Sequence, residues 1–296
     1  MQSESEIKVV YHGGLGEITT RIEFGEAFYK SGLTIPGILE PAIKEEKDYA
    51  VLEEIFPRIK ILGRPENYER YRNRIGSRGL AVAYISLACG PVAHIMRDLR
   101  RYDSFFLDLY DFPETVESLA EVLGIHYDRM IEAAAETDAE VAILGANYDE
   151  MLTARPMFEK YFKPWLIRAG DRLHREGKYL LTHTDGENKN LNDIYLDCNF
   201  DIADSITPAP MTKIPLEDYR TLYGSKITIW GGIPSICMLR DSMDYRDFTS
   251  LVDRLVESCK PYNNLIFSVA DTCPPQAEYD RILYLCDCLN NHHRNF

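Results

Sequence analysis

The sequence predicts an α/β fold built on parallel strands and closed as a barrel. Three observations carry this. From about residue 139 onward, short apolar runs rich in branched residues alternate with longer segments of helical period. The runs begin roughly 23 to 38 residues apart, the spacing of repeated β-α units whose crossover helices make neighbouring strands parallel. No Gly-x-Gly-x-x-Gly opens a helix after a strand, which turns the choice from a doubly wound nucleotide-binding sheet toward a barrel.

Taken in order, the first strand candidate is Ile7–Tyr11, followed by a polar stretch over 13–36 and a helical piece near 41–58. The Gly-Gly-Leu-Gly at 13–16 follows a strand-like run, but its spacing does not make a dinucleotide fingerprint. The regular beat includes strands at 80–86, 140–146, 178–183, 201–206, 226–230 and 264–269. Helices are expected near 113–138, 156–176, 188–197, 215–223, 245–260 and 276–291, with glycine or proline at the joints (Gly177, Gly186, Gly224, Gly231, Gly232, Pro274, Pro275). No composition break or low-complexity linker interrupts the chain. One domain over 1–296 is expected, with an irregular section over 1–79 and regular β/α repeats over 80–296.

Composition narrows the function classes. The 296 residues contain 33 Lys and Arg against 47 Asp and Glu, a formal net charge of −14. Without a local basic stripe such a chain repels a phosphate backbone, so nucleic acid is not the expected partner. No apolar run approaches the roughly 18 residues that a membrane span requires. The opening MQSESEIKVV is polar and acidic rather than leader-like, and the seven cysteines are odd in number and scattered. Free thiols and a cytoplasmic location are expected.

In a parallel barrel the active site lies at the C-terminal ends of the strands. That rule puts Asn147, Tyr148 and Asp149 after the 140–146 strand and His183 and Asp185 after the next. Asp204 then closes a strand, Gly231 follows another, and Asp271 and Cys273 follow the last. Asp, His and Cys are costly to bury without partners, yet they recur where each apolar run ends. His183-x-Asp185-Gly186 is the sharpest of these patterns. Just past a strand, an imidazole and a carboxylate two residues apart can share a metal or act as acid and base. With Cys273 they form a set that a catalytic zinc accepts. Bland alternatives stand beside this: His183 bonded to a backbone carbonyl, Asp185 capping the helix near 188, and Cys273 an inert thiol before a Pro-Pro turn. His94 and His126 read as surface or packing residues, and His292 and His293 as a frayed tail. Cys286-x-Cys288 lies late in a helical pattern where i and i+2 diverge, and Glu150 and Glu187 read as solvated.

Four motifs at these strand ends resemble the uroporphyrinogen decarboxylase superfamily, within it the corrinoid-linked methyltransferases. They are GANYDEMLTARPMFEKYFKPWL, LLTHTDGE, KITIWGGIP and SVADTCPPQAEYDRI. The segment 15–55, with FGEAFYKSG, is less close. The resemblance implies a (β/α)8 barrel, incomplete or irregular at its N-terminal end, and methyl transfer between a small molecule and a corrinoid carried on a separate protein. In the zinc-dependent members a His-x-Cys pair and a later Cys hold the metal. His183 and Cys273 match the outer two, and Asp185 stands in place of the middle Cys. From the strand-end rule, the expected catalytic set is His183, Asp185 and Asp149, with Asn147, Tyr148, Asp204, Gly231 and Asp271 around the substrate. The metal-free decarboxylases of the superfamily carry an Arg-Gln-Ala-Gly-Arg motif and a closing Gly-His-Gly turn. This chain has neither, with Ala270-Asp271-Thr272-Cys273 at the closing turn. Three readings follow: zinc-assisted methyl transfer, a metal-free lyase acting on an anionic small molecule with Arg155 and Lys189 as its cations, and a non-catalytic barrel. A homo-oligomer is compatible with all three.

Overall fold

The computed structural model describes residues 6–26, 30, 36–145, 147–261 and 263–293. The expectations for FGEAFYKSG fall partly outside the described residues, and those for the side chains of His292 and His293 fall wholly outside them. The strands are β1 (Glu6–Gly13), β2 (Gly16–Glu23), β3 (Gly37–Glu40), β4 (Val82–Ser86), β5 (Val141–Leu144), β6 (Tyr179–His183), β7 (Ile202–Ile206), β8 (Thr228–Ile233) and β9 (Leu265–Val269). The longer helices are α1 (Lys47–Ile55), α2 (Pro65–Ile75), α3 (Tyr102–Asp111), α4 (Pro113–Ala135), α5 (Lys163–His174), α6 (Leu216–Tyr223), α7 (Tyr245–Ser258) and α8 (Tyr279–His293).

All six strands expected after residue 80 form, and they follow in chain order, β4-β5-β6-β7-β8-β9. The pairs β4/β5, β6/β7, β7/β8 and β8/β9 are parallel. The expected ring of eight is not closed among the described residues: β4 and β9 are the edges of a six-stranded sheet. Among the described residues, the N-terminal section has a three-stranded sheet of its own, separate from the β/α repeat. β1 and β2 form an antiparallel hairpin with Gly13 opposite Gly16, and β3 adds to β2. The glycine cluster at 13–16, whose spacing makes no nucleotide fingerprint, is the hairpin turn.

The chain divides into two compact units, Met1–Gly145 with Met157–Leu180 and Ala146–Pro156 with Leu181–Phe296. In the first, α4 starts on Pro113, where a missing N–H costs nothing. It buries Val116, Leu119, Leu123, Tyr127, Ile131 and Ala134, which recur every three or four residues along one face. The Glu54 carboxylate on α1 accepts the amides of Gly14 (2.9 Å) and Leu15 (2.8 Å), tying down the hairpin turn. His126 and His94 are packing residues, as expected: each ring meets Phe56 edge-on, and His94 also meets Tyr127.

In the second unit β6 to β8 bury Leu181, Ile202, Ala203, Ile206, Ile229 and Ile233. α7 is capped by Asp244, whose side chain accepts the Asp247 amide at 2.9 Å. It buries Phe248, Val252, Leu255 and Val256 at helical spacing. The helix expected over 188–197 shrinks to Asn192–Tyr195, because Asn188 is spent on the preceding turn. Its amide bonds Thr184 O (2.5 Å) and Gly186 O (2.8 Å). No helix among the described residues is long and apolar enough to cross a membrane.

Candidate functional site

The site lies within the second unit, where strand register builds its centre. β6 and β7 pair so that His183 is directly opposite Asp204. Neighbouring positions of a parallel pair put their side chains on the same face, and His183 Nδ1 lies 2.7 Å from Asp204 Oδ2. With Nδ1–H donated to Asp204, Nε2 carries the free lone pair. It lies 3.6 Å from Asp271 Oδ1, which comes just beyond β9. Asp185, two residues past His183, completes a group: one ligand atom from each of His183, Asp185 and Asp271 lies within 4.8 Å of the others.

Asp185 is itself held. Its Oδ2 accepts from Asn147 Nδ2 (3.2 Å), and Thr207 Oγ1 approaches Oδ1 at 3.4 Å. Burial and the charge of Asp271 raise its pKa, against the lowering effect of His183. Burial pulls His183 down. The Asp204 hydrogen bond and the charges of Asp204, Asp185 and Asp271 outweigh it, so its pKa stands above the ordinary value.

Backbone geometry fixes the two acids contributed by β7 and the turn after β9. A register shift between Asp204 and Ile206 marks a bulge at Ser205, which takes φ +66°. Asp271 also sits in the left-handed region, at φ +56°. Such conformations cost non-glycine residues roughly 1–3 kcal/mol and persist only where the surroundings impose them.

The other expected site residues sort by what they touch. Asp149 is part of the loop framework: Oδ1 accepts the Met151 amide (2.9 Å) and Oδ2 the Glu187 amide (3.1 Å). Asn147 reaches the site through Asp185. Tyr148 is fully buried, with its hydroxyl 2.7 Å from Thr182 Oγ1, so it packs rather than lines a cavity. Gly231 faces backbone, and a Cβ there would lie 2.6 Å from Ile206 O. Cys273 is exposed and is not one of the converging group. Its place beside His183 and Asp185 is taken by Asp271. Glu150 and Glu187 are largely covered rather than solvated, and Lys213 bridges them at 3.3 and 3.8 Å. Of the cations weighed for binding carboxylates, Arg155 is engaged by Asp193 at 2.9 Å and Lys189 is exposed.

Sequence reasoning missed Thr207, and it assigned Asp204 to substrate rather than to His183. Nothing local marks Thr207. The Asp204 pairing was readable only from the register of two strands 21 residues apart.

A family model described as uroporphyrinogen decarboxylase (URO-D) matches residues 29–292, nearly the whole chain. The chain belongs to that family. Among solved structures it is similar to a methyltransferase from Methanosarcina mazei, with a TM-score of 0.62 and 14% identity over 92% of this chain and 75% of that one. At this identity the likeness is one of fold. A search of curated proteins finds no match. The uroporphyrinogen decarboxylase fold supplies the strand ends on which His183, Asp185, Asp204 and Asp271 sit.

Proposed function

We propose that this chain is a methyltransferase that moves a methyl group between a small molecule and a corrinoid on a separate protein, within a (β/α)8-type scaffold. The observation that carries the proposal is the charge of the site. Three carboxylates, Asp185, Asp204 and Asp271, surround one imidazole, and the cations that a polycarboxylate would need are engaged elsewhere or exposed. A site of this sign repels a porphyrinogen's carboxylates and accepts a neutral or cationic methyl compound. Family membership and the methyltransferase neighbour agree with this reading.

The chain's own residues have definable tasks. Asp204 fixes the tautomer and ring plane of His183, so that Nε2 is presented to the reacting group. Asn147 and Thr207 hold the Asp185 carboxyl in place. Resemblance implies zinc, and one imidazole with two carboxylates is a donor set that zinc accepts. His183, Asp185 and Asp271, with donor atoms within 4.8 Å of one another, would hold it. When bound, such a cation supplies Lewis acidity, polarising the heteroatom that gives up or receives the methyl group.

The test is methyl transfer to or from free cobalamin, followed by its absorbance, against a panel of methylated amines, ethers and thioethers. Transfer that is lost in His183→Ala supports the proposal. Carbon dioxide release from a polycarboxylate, with no methyl transfer to any acceptor, replaces it with the lyase reading.

A further inference from the structure

We propose that Trp230 is a cation–π platform of the site, and that the group bound there is a methylated onium cation, a quaternary ammonium or a sulfonium, rather than a neutral methyl compound. The inference rests on the methyl-transfer reading and narrows its substrate class. It concerns binding alone and is measured without any transfer, so either can fail by itself.

Strand register carries it. In the second unit β6, β7, β8 and β9 place His183, Asp204, Trp230 and Ile266 in one row, each the ladder partner of the next. Partners of a parallel ladder stand about 4.8 Å apart and share a face. The indole of Trp230 therefore rises beside the Asp204 carboxylate that holds His183 Nδ1 at 2.7 Å. The opposite face of these strands is closed, with Thr182, Ala203 and Ile229 buried. On the row's own face Leu181 and Ile202, one layer deeper, are buried as well. Beyond them the row itself stays open: His183, Asp204 and Trp230 are half-buried and Ile266 is 37% exposed. No side chain among the described residues hydrogen-bonds to the Trp230 indole or stacks on it.

Charge selects the occupant. Asp185, Asp204 and Asp271 gather about one imidazole, and no lysine or arginine pairs with any of the three among the described residues. A dication held by His183, Asp185 and Asp271 would still leave one carboxylate charge uncompensated. An aromatic face attracts a cation within about 6 Å of its centre through the ring quadrupole, tryptophan most strongly, and more so where water is excluded. A methylated onium suits both features. It has no N–H to satisfy, so it loses no hydrogen bond against a wall of carbon such as Trp230 and Ile266, and its methyl groups carry the charge to the surface that the ring meets. A primary ammonium presents three donors, and those turned toward that wall go unpaired. A neutral thioether or alcohol gains the apolar contact but nothing from the carboxylates.

The experiment is calorimetric titration of the full chain with choline, with trimethylsulfonium, and with dimethylbutanol, the neutral carbon isostere of choline. Wild type is compared with Trp230→Leu, which removes the ring, and Trp230→Phe, which keeps a weaker one. Circular dichroism checks that each variant is folded. At least one of the two cations should saturate a single site and bind at least tenfold more tightly than the isostere. Its affinity should fall at least tenfold in Trp230→Leu and by less in Trp230→Phe, while that of the isostere changes less than threefold. Tighter binding of choline assigns the ammonium, and tighter binding of trimethylsulfonium the sulfonium. Equal affinity for choline and its isostere with no binding of trimethylsulfonium overturns the proposal. So does wild-type cation affinity in either folded variant, or failure of both cations to bind. Cation binding without methyl transfer leaves this inference standing and removes the methyl-transfer reading; transfer from a neutral donor alone, with neither cation bound, does the reverse.

Discussion

The hydrogen bond between His183 and Asp204 concentrates the chemistry of the site at one contact. Replacing Asp204 with Asn keeps the shape but removes the charge that fixes the imidazole tautomer. Carboxylates that orient a metal-bound histidine typically contribute 10–100-fold in affinity. Asp204→Asn is therefore expected to weaken divalent-cation binding by about that factor while leaving the urea midpoint nearly unchanged; calorimetric titration beside an unfolding curve checks both. Tyr148 makes the opposite case. Its hydroxyl bonds buried Thr182 at 2.7 Å and the ring is fully covered. Tyr148→Phe is expected to cost about 1–2 kcal/mol of stability by stranding the Thr182 hydroxyl, with methyl transfer per folded molecule unaltered. A selective loss of transfer would return Tyr148 to the substrate. His183 and Asp185 were legible as a pair because a strand end and a spacing of two mark them locally. The roles of Asp204 and Asp271 were not: the first depends on which residue the neighbouring strand β7 puts opposite His183, and the second on a turn past β9, with two strands between β9 and β6.

At the scale of elements, the bulge in β7 and the glycine opposite it act together. Ser205 is the extra residue, and the chain at Ile206 comes so close to Gly231 that a Cβ would meet Ile206 O at 2.6 Å and Ile206 N at 2.9 Å. Gly231 also takes φ +136°, where a side chain adds strain. Gly231→Ala should destabilise the protein by at least about 2 kcal/mol, combining overpacking with an unfavourable backbone. A lowered urea midpoint at constant slope would show it. An unshifted midpoint would mean that the two strands separate freely at this point. The same strands show what pattern reading reaches. β4 to β9 were legible because each is a short branched run bounded by turn residues. β1 was legible as the strand-like Ile7–Tyr11, but its sheet was not, because β2 lies within the polar stretch over 13–36 and β3 is only four residues long. α2 was hidden for another reason. PENYERYRNRI buries no residue, so it has no apolar stripe to reveal its period, and only its N-terminal proline and late arginines announce a helix.

At the scale of the whole molecule, stability integrates titrations that no single site displays. The chain carries 47 acidic groups against 33 basic ones, so acid both relieves repulsion and protonates carboxylates that hold structure. Within this background, His94 has a separable effect. Burial holds its imidazole below the ordinary pKa; Asp98 opposes the shift, and Arg97 and His126 add to it. The rings of Phe56 and Tyr127 pack against it, with the Tyr127 hydroxyl 3.4 Å from Nδ1. Above the unfolded-state pKa of roughly 6.5 both states leave this histidine neutral, and it has no effect on the pH dependence. Below that value the unfolded chain binds a proton that the folded chain refuses. Stability then falls as pH falls, by at most about 1.4 kcal/mol per unit, until the depressed folded pKa is reached. His94→Phe keeps an aromatic ring between Phe56 and Tyr127 but cannot take the proton. Urea unfolding at about pH 7.5 and about pH 5.5 should show a smaller acid-side loss in the variant than in the wild type. Equal losses would mean that His94 is protonated in the folded protein and that the packing around it opens to water.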